Sequence, residues 1–311
     1  MKADKGKFGF VSFVGRPNAG KSTLLNRLVG SKLAIVSDKP QTTRTRIIGV
    51  KNYPNAQVVF VDTPGIHRPL HRMNVRMLDT AIDAMHGVDV LGLVLDVSEA
   101  QGKGDAFVLD LIKREAIAPS TAVFLLLNKI DLIRKPRLLP IIDRYQRAGS
   151  FAEIIPLSAS TGDNVDRLEQ AIIDRLPEGE PMYPVDYLTD RPERFFAAEI
   201  VREQLLRSTH AEIPFSSAVV IDRFEEPADA KGVLKLYCTI LVDRESQKPI
   251  VVGKGGAMIK QIGTAAREEL EQFFDTRVFL DLRVQVKADW REDERVLTDL
   301  GLAPSDDNQR E

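Results

Sequence analysis

The chain contains a glycine-rich segment of the kind that holds phosphate groups. Residues 15–22 read Gly-Arg-Pro-Asn-Ala-Gly-Lys-Ser. They match the pattern G-x-x-x-x-G-K-[ST], in which backbone N–H groups surround a phosphate chain and the lysine reaches the outer phosphates. The hydroxyl after the lysine is a ligand for Mg²⁺. We therefore predict that a nucleoside triphosphate with its metal is held by Gly15, Asn18, Ala19, Gly20, Lys21, Ser22 and Thr23.

A second segment supplies a carboxylate at the end of an apolar run. Asp62-Thr63-Pro64-Gly65 begins 40 residues after Ser22. An aspartate at such a strand end can hold the ligand shell of Mg²⁺, and a glycine N–H can meet the last phosphate. We predict that Asp62 and Ser22 bind the metal, and that Thr63, Pro64 and Gly65 complete the phosphate site.

Two loops after later strands predict guanine specificity. In Asn128-Lys129-Ile130-Asp131, the Asp131 carboxylate can accept hydrogen bonds from guanine N1–H and N2–H₂, a pair of donors that adenine lacks. We expect Asn128 to brace the loop and reach N7, and the Lys129 stem to lie on the base. In Ser158-Ala159-Ser160, the Ala159 N–H is the predicted donor to guanine O6. The sequence therefore predicts a site for GTP and GDP with Mg²⁺.

A polar, threonine-rich stretch lies between the glycine-rich segment and Asp62. Residues 38–46 read Asp-Lys-Pro-Gln-Thr-Thr-Arg-Thr-Arg. A threonine in such a stretch can complete the Mg²⁺ shell and respond to the third phosphate. The residues alone leave open which threonine does so. We predict that this stretch is a nucleotide-sensing switch.

A second glycine loop predicts a different ligand. Gly253, Lys254, Gly255 and Gly256 form a G-x-x-G loop with apolar residues on both sides. Glycines let a sugar-phosphate backbone approach closely. Residues 246–267 also contain four basic residues and no acidic one. The loop and its apolar flanks resemble a KH domain, in which such a loop holds a single-stranded nucleic acid backbone. This resemblance implies that the binding residues are Gly253, Lys254, Gly255, Gly256, Lys260 and Lys248.

Strands and helices alternate along the first part of the chain. Short apolar runs predict strands over residues 8–14, 47–52, 57–62, 88–96, 122–128 and 153–157. Helical spacing is found between them, over residues 21–29, 72–85 and 164–175. This alternation predicts an α/β fold with a doubly wound, mostly parallel sheet.

The character of the chain changes after residue 176. Residues 177–192 contain four prolines and no clear periodicity, which is typical of a linker. A helix, two strands, a second helix and a third strand are then predicted over residues 193–206, 217–224, 233–243, 257–274 and 277–287. The order becomes αββααβ if residues 249–252 form a short helix, which indicates a smaller α+β domain. We divide the chain into domains 1–176 and 193–290, a linker 177–192 and a polar tail 291–311.

Composition limits the classes of protein to consider. The net charge of −2 provides no global basic field, so any polyanion site must be local. The single cysteine, Cys238, excludes an internal disulfide and favours a reducing compartment. No apolar run approaches the ~20 residues that span a bilayer. We expect a cytoplasmic monomer with Trp290 packed at the end of the second domain, and we leave open a weak peripheral association with the inner face of the membrane.

The five nucleotide segments, in this order and followed by the G-x-x-G loop, resemble the Era family among the translation-factor-related GTPases. The resemblance extends from Phe8 to about Trp290 and implies a P-loop GTPase followed by a KH domain. It implies that Thr43, rather than Thr42, senses Mg²⁺, and that the catalytic residues are Lys21, Thr43 and Gly65. It also implies binding near the 3′ end of 16S rRNA and a role in assembly of the small ribosomal subunit.

Two positions depart from common GTPase patterns. Ser160 stands where many GTPases have lysine, although the family tolerates variation there. Ile66 follows Gly65, where Ras-like enzymes have the glutamine that orients water, so we predict slow hydrolysis. Asn18 matches a position that helps bind K⁺ in related GTPases, which makes stimulation by K⁺ a hypothesis. Two alternatives remain: an RNA-binding scaffold with an inactive GTPase half, and a membrane-associated regulatory GTPase.

Overall fold

The structure, a computed structural model, describes residues 6–100, 102–115, 117–227, 229 and 232–302. The chain folds into two compact units. The first contains the chain up to Val36, Gln41–Leu70 and Asn74–Asp190, and the second contains Ser37–Pro40, His71–Met73 and the chain from Arg191 onward. Each unit has a sheet of its own.

Six strands form the sheet of the first unit. They are β1 (Lys7–Val14), β2 (Ile47–Tyr53), β3 (Ala56–Asp62), β4 (Val90–Asp96), β5 (Ala122–Asn128) and β6 (Glu153–Pro156). Their order is β2-β3-β1-β4-β5-β6, and all neighbours are parallel except β2 and β3. Every residue of β3 and β4 is buried, which explains why these strands are continuous apolar runs. The predicted doubly wound, mostly parallel sheet is confirmed.

Four helices lie between successive strands of this sheet and a fifth follows β6. They are α1 (Lys21–Val29), α2 (Arg72–Asp83), α3 (Lys103–Arg114), α4 (Leu138–Ala148) and α5 (Val165–Arg175). The first two residues of α2 are grouped with the second unit. Helix α1 ends as predicted at Gly30, whose φ of 82° is in the left-handed region that glycine adopts without strain. The strand β1 lies between β3 on one side and β4 on the other. Loops at the carboxyl ends of these strands therefore meet at a topological switch point, where α/β sheets bind ligands.

The predicted linker lies along β2 and β3 rather than apart from them. Gln57, which is 1% exposed, accepts a hydrogen bond from the Tyr183 N–H and donates one to the Tyr183 carbonyl (2.9 and 2.8 Å). The Val50 N–H on the edge strand β2 donates to the Leu188 carbonyl at 2.8 Å. The rings of Tyr183 and Tyr187 stack with centroids 4.8 Å apart. The structure therefore groups this stretch with the first unit as far as Asp190, while the four-part division of the chain stays a prediction.

The second unit is a smaller α+β fold. Its elements are α6 (Glu193–Ser208), α7 (Ile213–Ser216), β7 (Ser217–Glu225), β8 (Val233–Val242), α8 (Lys248–Val252), α9 (Ala257–Phe274), β9 (Arg277–Val286) and α10 (Glu294–Asp299). Strands β7 and β8 are antiparallel, and β8 and β9 are parallel. Apolar residues of α6 and α9, such as Val201 and Ile262, form one core with those of β8. The short helix α8 completes the predicted αββααβ order.

Two single residues of the second unit lie where the sequence predicts. Cys238 is buried in the core, and burial, with smaller contributions from Asp222 and Asp281, raises the pKa of its thiol to about 12. Trp290 is fully buried, and its indole N–H donates to the Ser216 carbonyl at 2.9 Å. Within the described ranges, no helix is both long enough and apolar enough to cross a membrane.

Candidate functional site

The glycine-rich segment forms the loop between β1 and α1. Gly15 and Gly20 have φ values of 157° and 95°, and Asn18 has a φ of 63°. A Cβ atom at Gly20 would collide with the side-chain amide of Asn128, so only glycine fits there. Ala19 is buried, and Thr23 is half-buried in the first turn of α1. The backbone of the loop therefore requires glycine at positions 15 and 20, where a Cβ atom would collide with Val94 and Asn128.

Lys21 lies inside this loop. It is 6% exposed, and its ammonium donates to the carbonyls of Gly15 and Arg16 at 3.2 and 3.1 Å. Burial lowers the pKa of Lys21 to about 8, and the negative charge of Asp62 opposes this shift. A buried ammonium with two neutral acceptors gains strongly from an added negative charge. The loop is thus built to receive an anion.

Three oxygen-bearing side chains meet beside the loop. Ser22 Oγ donates to Asp62 Oδ2 at 2.7 Å, Thr43 Oγ1 donates to the same oxygen at 3.1 Å, and the two hydroxyl oxygens are 2.7 Å apart. The structure thus places Thr43 with the two predicted metal ligands, as the family resemblance implies. The switch stretch reaches the phosphate loop through this residue.

The Asp62 carboxylate has capacity for a cation. Asp62 is fully buried, and its Oδ1 atom accepts no hydrogen bond from the residues that the structure describes. Burial raises the pKa of Asp62, although Lys21 and the two hydroxyls oppose this shift. Mg²⁺ prefers oxygen ligands and commonly takes one carboxylate together with phosphates and water. The donor set of Ser22, Thr43 and Asp62 therefore fits Mg²⁺.

The segment after Asp62 is packed against the phosphate loop. Thr63 Oγ1 donates to the Phe13 carbonyl at 2.7 Å. A Cβ atom at Gly65 would lie 2.7 Å from Pro17 atoms, so this position must be glycine; Pro64 beside it is buried. Ile66 is 1% exposed in the core, and its N–H donates to the Gly15 carbonyl at 3.0 Å. The Ile66 side chain is therefore a core residue and cannot orient a water molecule.

Asn128 joins the two loops that are predicted to recognise guanine to the phosphate loop. It is 1% exposed at the end of β5. Its Nδ2 donates to the Ala19 carbonyl at 2.8 Å, and its Oδ1 accepts from the Ala159 N–H at 2.9 Å. The predicted brace is present, and it links the phosphate loop, the end of β5 and the loop after β6. The Ala159 N–H, the predicted donor to guanine O6, donates here to Asn128 Oδ1, and its contact with O6 stays a prediction.

Lys129 and Asp131 follow on the same loop. Lys129 has a φ of 66°, and its ammonium forms an ion pair with Asp96 at the end of β4. Burial by itself would raise the pKa of Asp96, but hydrogen bonds from Lys129 and Ser98 outweigh it, so the pKa is lowered. Asp131 is exposed. Lys129 is thus held in place while the Asp131 carboxylate remains accessible.

Sequence reasoning missed the residues that hold these loops. Arg16 Nε pairs with the buried Asp105 of α3 at 2.7 Å. Asp96 holds Lys129, and Arg27 of α1 donates to the carbonyls of the loop after β6. The only local signal was the acidic residue in the first turn of α3, which is typical of a helix start rather than of a loop brace.

The G-x-x-G loop of the second unit is open. Gly253, Gly255 and Gly256 have φ values of 76°, 60° and 81°. A Cβ atom at Gly253 would lie 2.7 Å from Met258, whereas at Gly255 and Gly256 no atom of the described residues lies within 4 Å. Gly256 precedes the 18-residue helix α9 and provides no side-chain cap. The loop at Gly255 and Gly256, just before the start of α9, therefore lies beside open space, and helix N-termini are common sites of phosphate binding.

The lysines predicted to bind nucleic acid surround this loop. Lys248, Lys254 and Lys260 are exposed on α8, the loop and α9. Val251 and Ile262, on the same elements, are fully buried in the core. The core thus fixes the two helices, and the basic side chains remain free to contact a polyanion.

Comparisons with known proteins decide the family. A family model described as "50S ribosome-binding GTPase" matches residues 10–129, and one described as "KH domain" matches residues 212–291. Proteins called GTPase Era in Syntrophus aciditrophicus and Geobacter metallireducens are each 49% identical to this chain. The alignments cover 95% of this chain and 95% of the first, and 94% of this chain and 97% of the second. The chain belongs to the GTPase Era family.

Solved structures of Era proteins have the same fold. One, of Era in complex with MgGDPNP and nucleotides 1506–1542 of 16S ribosomal RNA, is 42% identical and matches with a TM-score of 0.90. The match covers 96% of this chain and 100% of the chain in that structure. A variant of Aquifex aeolicus Era bound to GDP and AlF₄⁻ is 41% identical, with a TM-score of 0.89 and the same two coverages. This Era-family protein is thus a GTPase with a KH domain.

Proposed function

We propose that this Era-family GTPase binds GTP with Mg²⁺ in the first unit, hydrolyses it slowly to GDP and phosphate, and binds single-stranded 16S rRNA near its 3′ end through the KH loop. The observation that carries the proposal is the meeting of Ser22, Thr43 and Asp62 beside Lys21, with Asn128 joining the guanine loop to the same phosphate loop. In this proposal the protein acts in assembly of the small ribosomal subunit.

The residues of the site divide the chemistry among them. The Lys21 ammonium would neutralise charge on the outer phosphates, and the Gly65 N–H would donate to the third phosphate. Ser22, Thr43 and Asp62 would hold Mg²⁺, which supplies positive charge to the phosphates when bound. Hydrolysis is then mainly electrostatic stabilisation and positioning.

We attribute slow turnover to Ile66, the residue that follows Gly65. The Ile66 side chain is buried in the core, so it places no polar group on the attacking water. The water must be oriented by backbone groups, by a partner or by a monovalent cation. We propose that Asn18, in the phosphate loop, contributes to binding K⁺. Equal turnover in KCl and in NaCl would contradict this part of the proposal.

The proposed RNA partner rests on the solved structure of Era in complex with MgGDPNP and 16S ribosomal RNA. That structure holds a 16S rRNA segment, and it matches 96% of this chain. The family model whose description names the 50S subunit matches only residues 10–129, which exclude the KH unit. We therefore place the RNA on Gly253, Lys254, Gly255 and Gly256 with Lys248 and Lys260, and we include a cytoplasmic, monomeric state in the proposal.

Guanine recognition is tested by Asp131→Asn. An asparagine can donate to the 2-oxo group of xanthine, whereas it pairs poorly with the two guanine donors. We expect GTP affinity to fall about 100-fold and the preference to move toward xanthosine triphosphate. Asp143→Asn on α4, where the aspartate is exposed and pairs with Arg147, is the matched control. Retained preference for GTP in the Asp131 variant would remove this residue from the site.

The RNA part is tested by crosslinking and sequencing of bound RNA with GDP and with a non-hydrolysable GTP analogue. We expect the 3′ region of 16S rRNA to be recovered, in different amounts in the two nucleotide states. Equal recovery in both states would end the idea that nucleotide controls RNA binding. Recovery of other RNA only would contradict the proposed partner.

A further inference from the structure

Arg27 of α1 holds the loop after β6 by two successive carbonyl groups. Its Nε donates to the Ala159 carbonyl at 2.6 Å, and one terminal nitrogen donates to the Ser160 carbonyl. Gly162 has a φ of 94°, and a Cβ atom there would lie 2.9 Å from the guanidinium. The planar fork of arginine suits two acceptors at once. The loop therefore has a fixed orientation relative to α1.

This orientation determines where the next N–H points. The C=O of Ala159 and the N–H of Ser160 belong to one trans peptide unit, in which the two groups point in opposite directions. Because the carbonyl faces Arg27, the Ser160 N–H faces away from the guanidinium. That N–H makes no hydrogen bond with any residue in the described part of the chain.

The neighbouring donors of the loop are already used. The Ala159 N–H donates to Asn128 Oδ1 at 2.9 Å, and the Thr161 N–H donates to Ser158 Oγ at 3.1 Å. Ser160 is exposed, and Asn128, which accepts from the residue just before it, also bonds to the phosphate loop. The unused donor therefore lies next to the side chain that joins the guanine loop to the phosphate loop.

We propose that Arg27 is a positioning residue for guanine recognition, which holds the loop so that the Ser160 N–H, in place of the Ala159 N–H predicted from the sequence, donates to guanine O6. The inference rests on the proposed GTP site, because it requires a guanine base beside Asn128. Adenine has an amino group in place of O6, and a donor facing it would reject the base. Arg27 would then support a second discrimination against adenine, independent of Asp131.

The test uses three nucleotides and four proteins. GDP, 6-thio-GDP and IDP are titrated calorimetrically into the wild-type chain and into Arg27→Ala, Arg27→Lys and Arg147→Ala. In 6-thio-GDP a sulfur, a weaker acceptor, replaces O6. IDP keeps O6 and lacks the 2-amino group that Asp131 is proposed to read. Arg147 is an exposed arginine on α4 with one ion pair to Asp143, so it is a matched control.

We expect Arg27→Ala to weaken GDP and IDP binding about tenfold and 6-thio-GDP binding about twofold, because only the oxygen nucleotides lose a full hydrogen bond. Arg27→Lys should restore part of the GDP affinity, since an ammonium can still reach one carbonyl. Arg147→Ala should leave all three affinities unchanged.

Two results would overturn the inference. Equal loss for all three nucleotides in Arg27→Ala would show a general disturbance of the site, and no loss for any of them would show that the arginine positions nothing. Failure of the wild-type chain to bind GDP is a separate outcome, because it would remove the proposed GTP site itself.

Discussion

The nucleotide loops and the KH loop both rely on glycine backbone, but they are supported in different ways. Around the nucleotide loops, buried polar side chains bond to one another across loops: Asn128 ties two of them together, and Ser22 and Thr43 share Asp62. Around the KH loop, Gly255 and Gly256 face open space and the lysines are exposed. One region is a closed polar network, and the other is an open basic surface.

This difference matches the ligands. A nucleotide has a fixed shape, so a network formed before binding gives specificity at little further ordering cost. A single-stranded RNA backbone is variable, and its affinity comes largely from charge and close approach. Substitutions in the closed network should therefore alter stability together with binding, whereas substitutions around the open loop should alter binding alone.

The largest effect is expected for Lys21→Ala. The variant loses charge-assisted hydrogen bonds to two phosphates, each worth about 1.5–3 kcal/mol, so GTP affinity should fall about 1000-fold or more. Titration with a fluorescent GTP analogue measures this. Lys103→Ala, at the exposed start of α3, is the control and should bind normally. Unchanged affinity in Lys21→Ala would contradict the assignment of the phosphate loop.

Asn128→Ala should show the effect of the closed network on stability. It removes two buried hydrogen bonds and leaves the Ala19 carbonyl and the Ala159 N–H without these partners. We expect the free energy of unfolding of the nucleotide-free protein to fall by about 2–3 kcal/mol. Urea denaturation measures it, with Asn55→Ala in the exposed turn between β2 and β3 as control. Loss of nucleotide binding without loss of stability would mean that the network is not formed before binding.

The two regions also differ in what their sequences reveal. The residues predicted to touch a ligand lie in short segments at strand ends, and each segment can be recognised locally, as with Lys21 or Gly253. Apart from Asn128, the residues that hold those segments have no local pattern. Arg27 meets a loop 132 positions away, and Asp96 meets Lys129 only because β4 and β5 are neighbours. Local motifs therefore indicate candidate contact residues, which stay predictions, whereas braces such as Arg27 and Asp96 could be found only from the fold.

The open region is tested by the double variant Lys254→Ala, Lys260→Ala. Each exposed lysine that neutralises a phosphate contributes about 0.7 to the slope of log affinity against log salt, so the slope should fall by about 1.4. At about 0.15 M salt, affinity for the 16S rRNA segment should fall about tenfold. The free energy of unfolding should change by less than about 0.5 kcal/mol.

Lys235→Ala is the control for this variant, since Lys235 is exposed on β8 and pairs with Glu225. Fluorescence anisotropy over a salt series, together with urea denaturation, separates the two properties. A marked loss of stability in the double variant would show that the KH loop is not the independent open surface that the comparison requires.

The smallest effect is expected from pH, and it concerns the closed region. Burial lowers the pKa of Lys21 to about 8 in the free protein, and bound phosphates must raise it again because they favour the charged ammonium. GTP binding therefore takes up a proton, so affinity is nearly full at pH 7 and below and decreases as the pH rises through the free-state pKa. Between about pH 7 and pH 8.5 we expect affinity to fall about fourfold.

Calorimetry in two buffers with different ionisation enthalpies counts the protons taken up. With a free-state pKa of about 8, binding should take up roughly a tenth of a proton at pH 7 and three quarters of one at pH 8.5. Proton uptake near zero at both pH values would mean that burial does not lower the pKa of Lys21, which would contradict its place as a buried cation of the closed network.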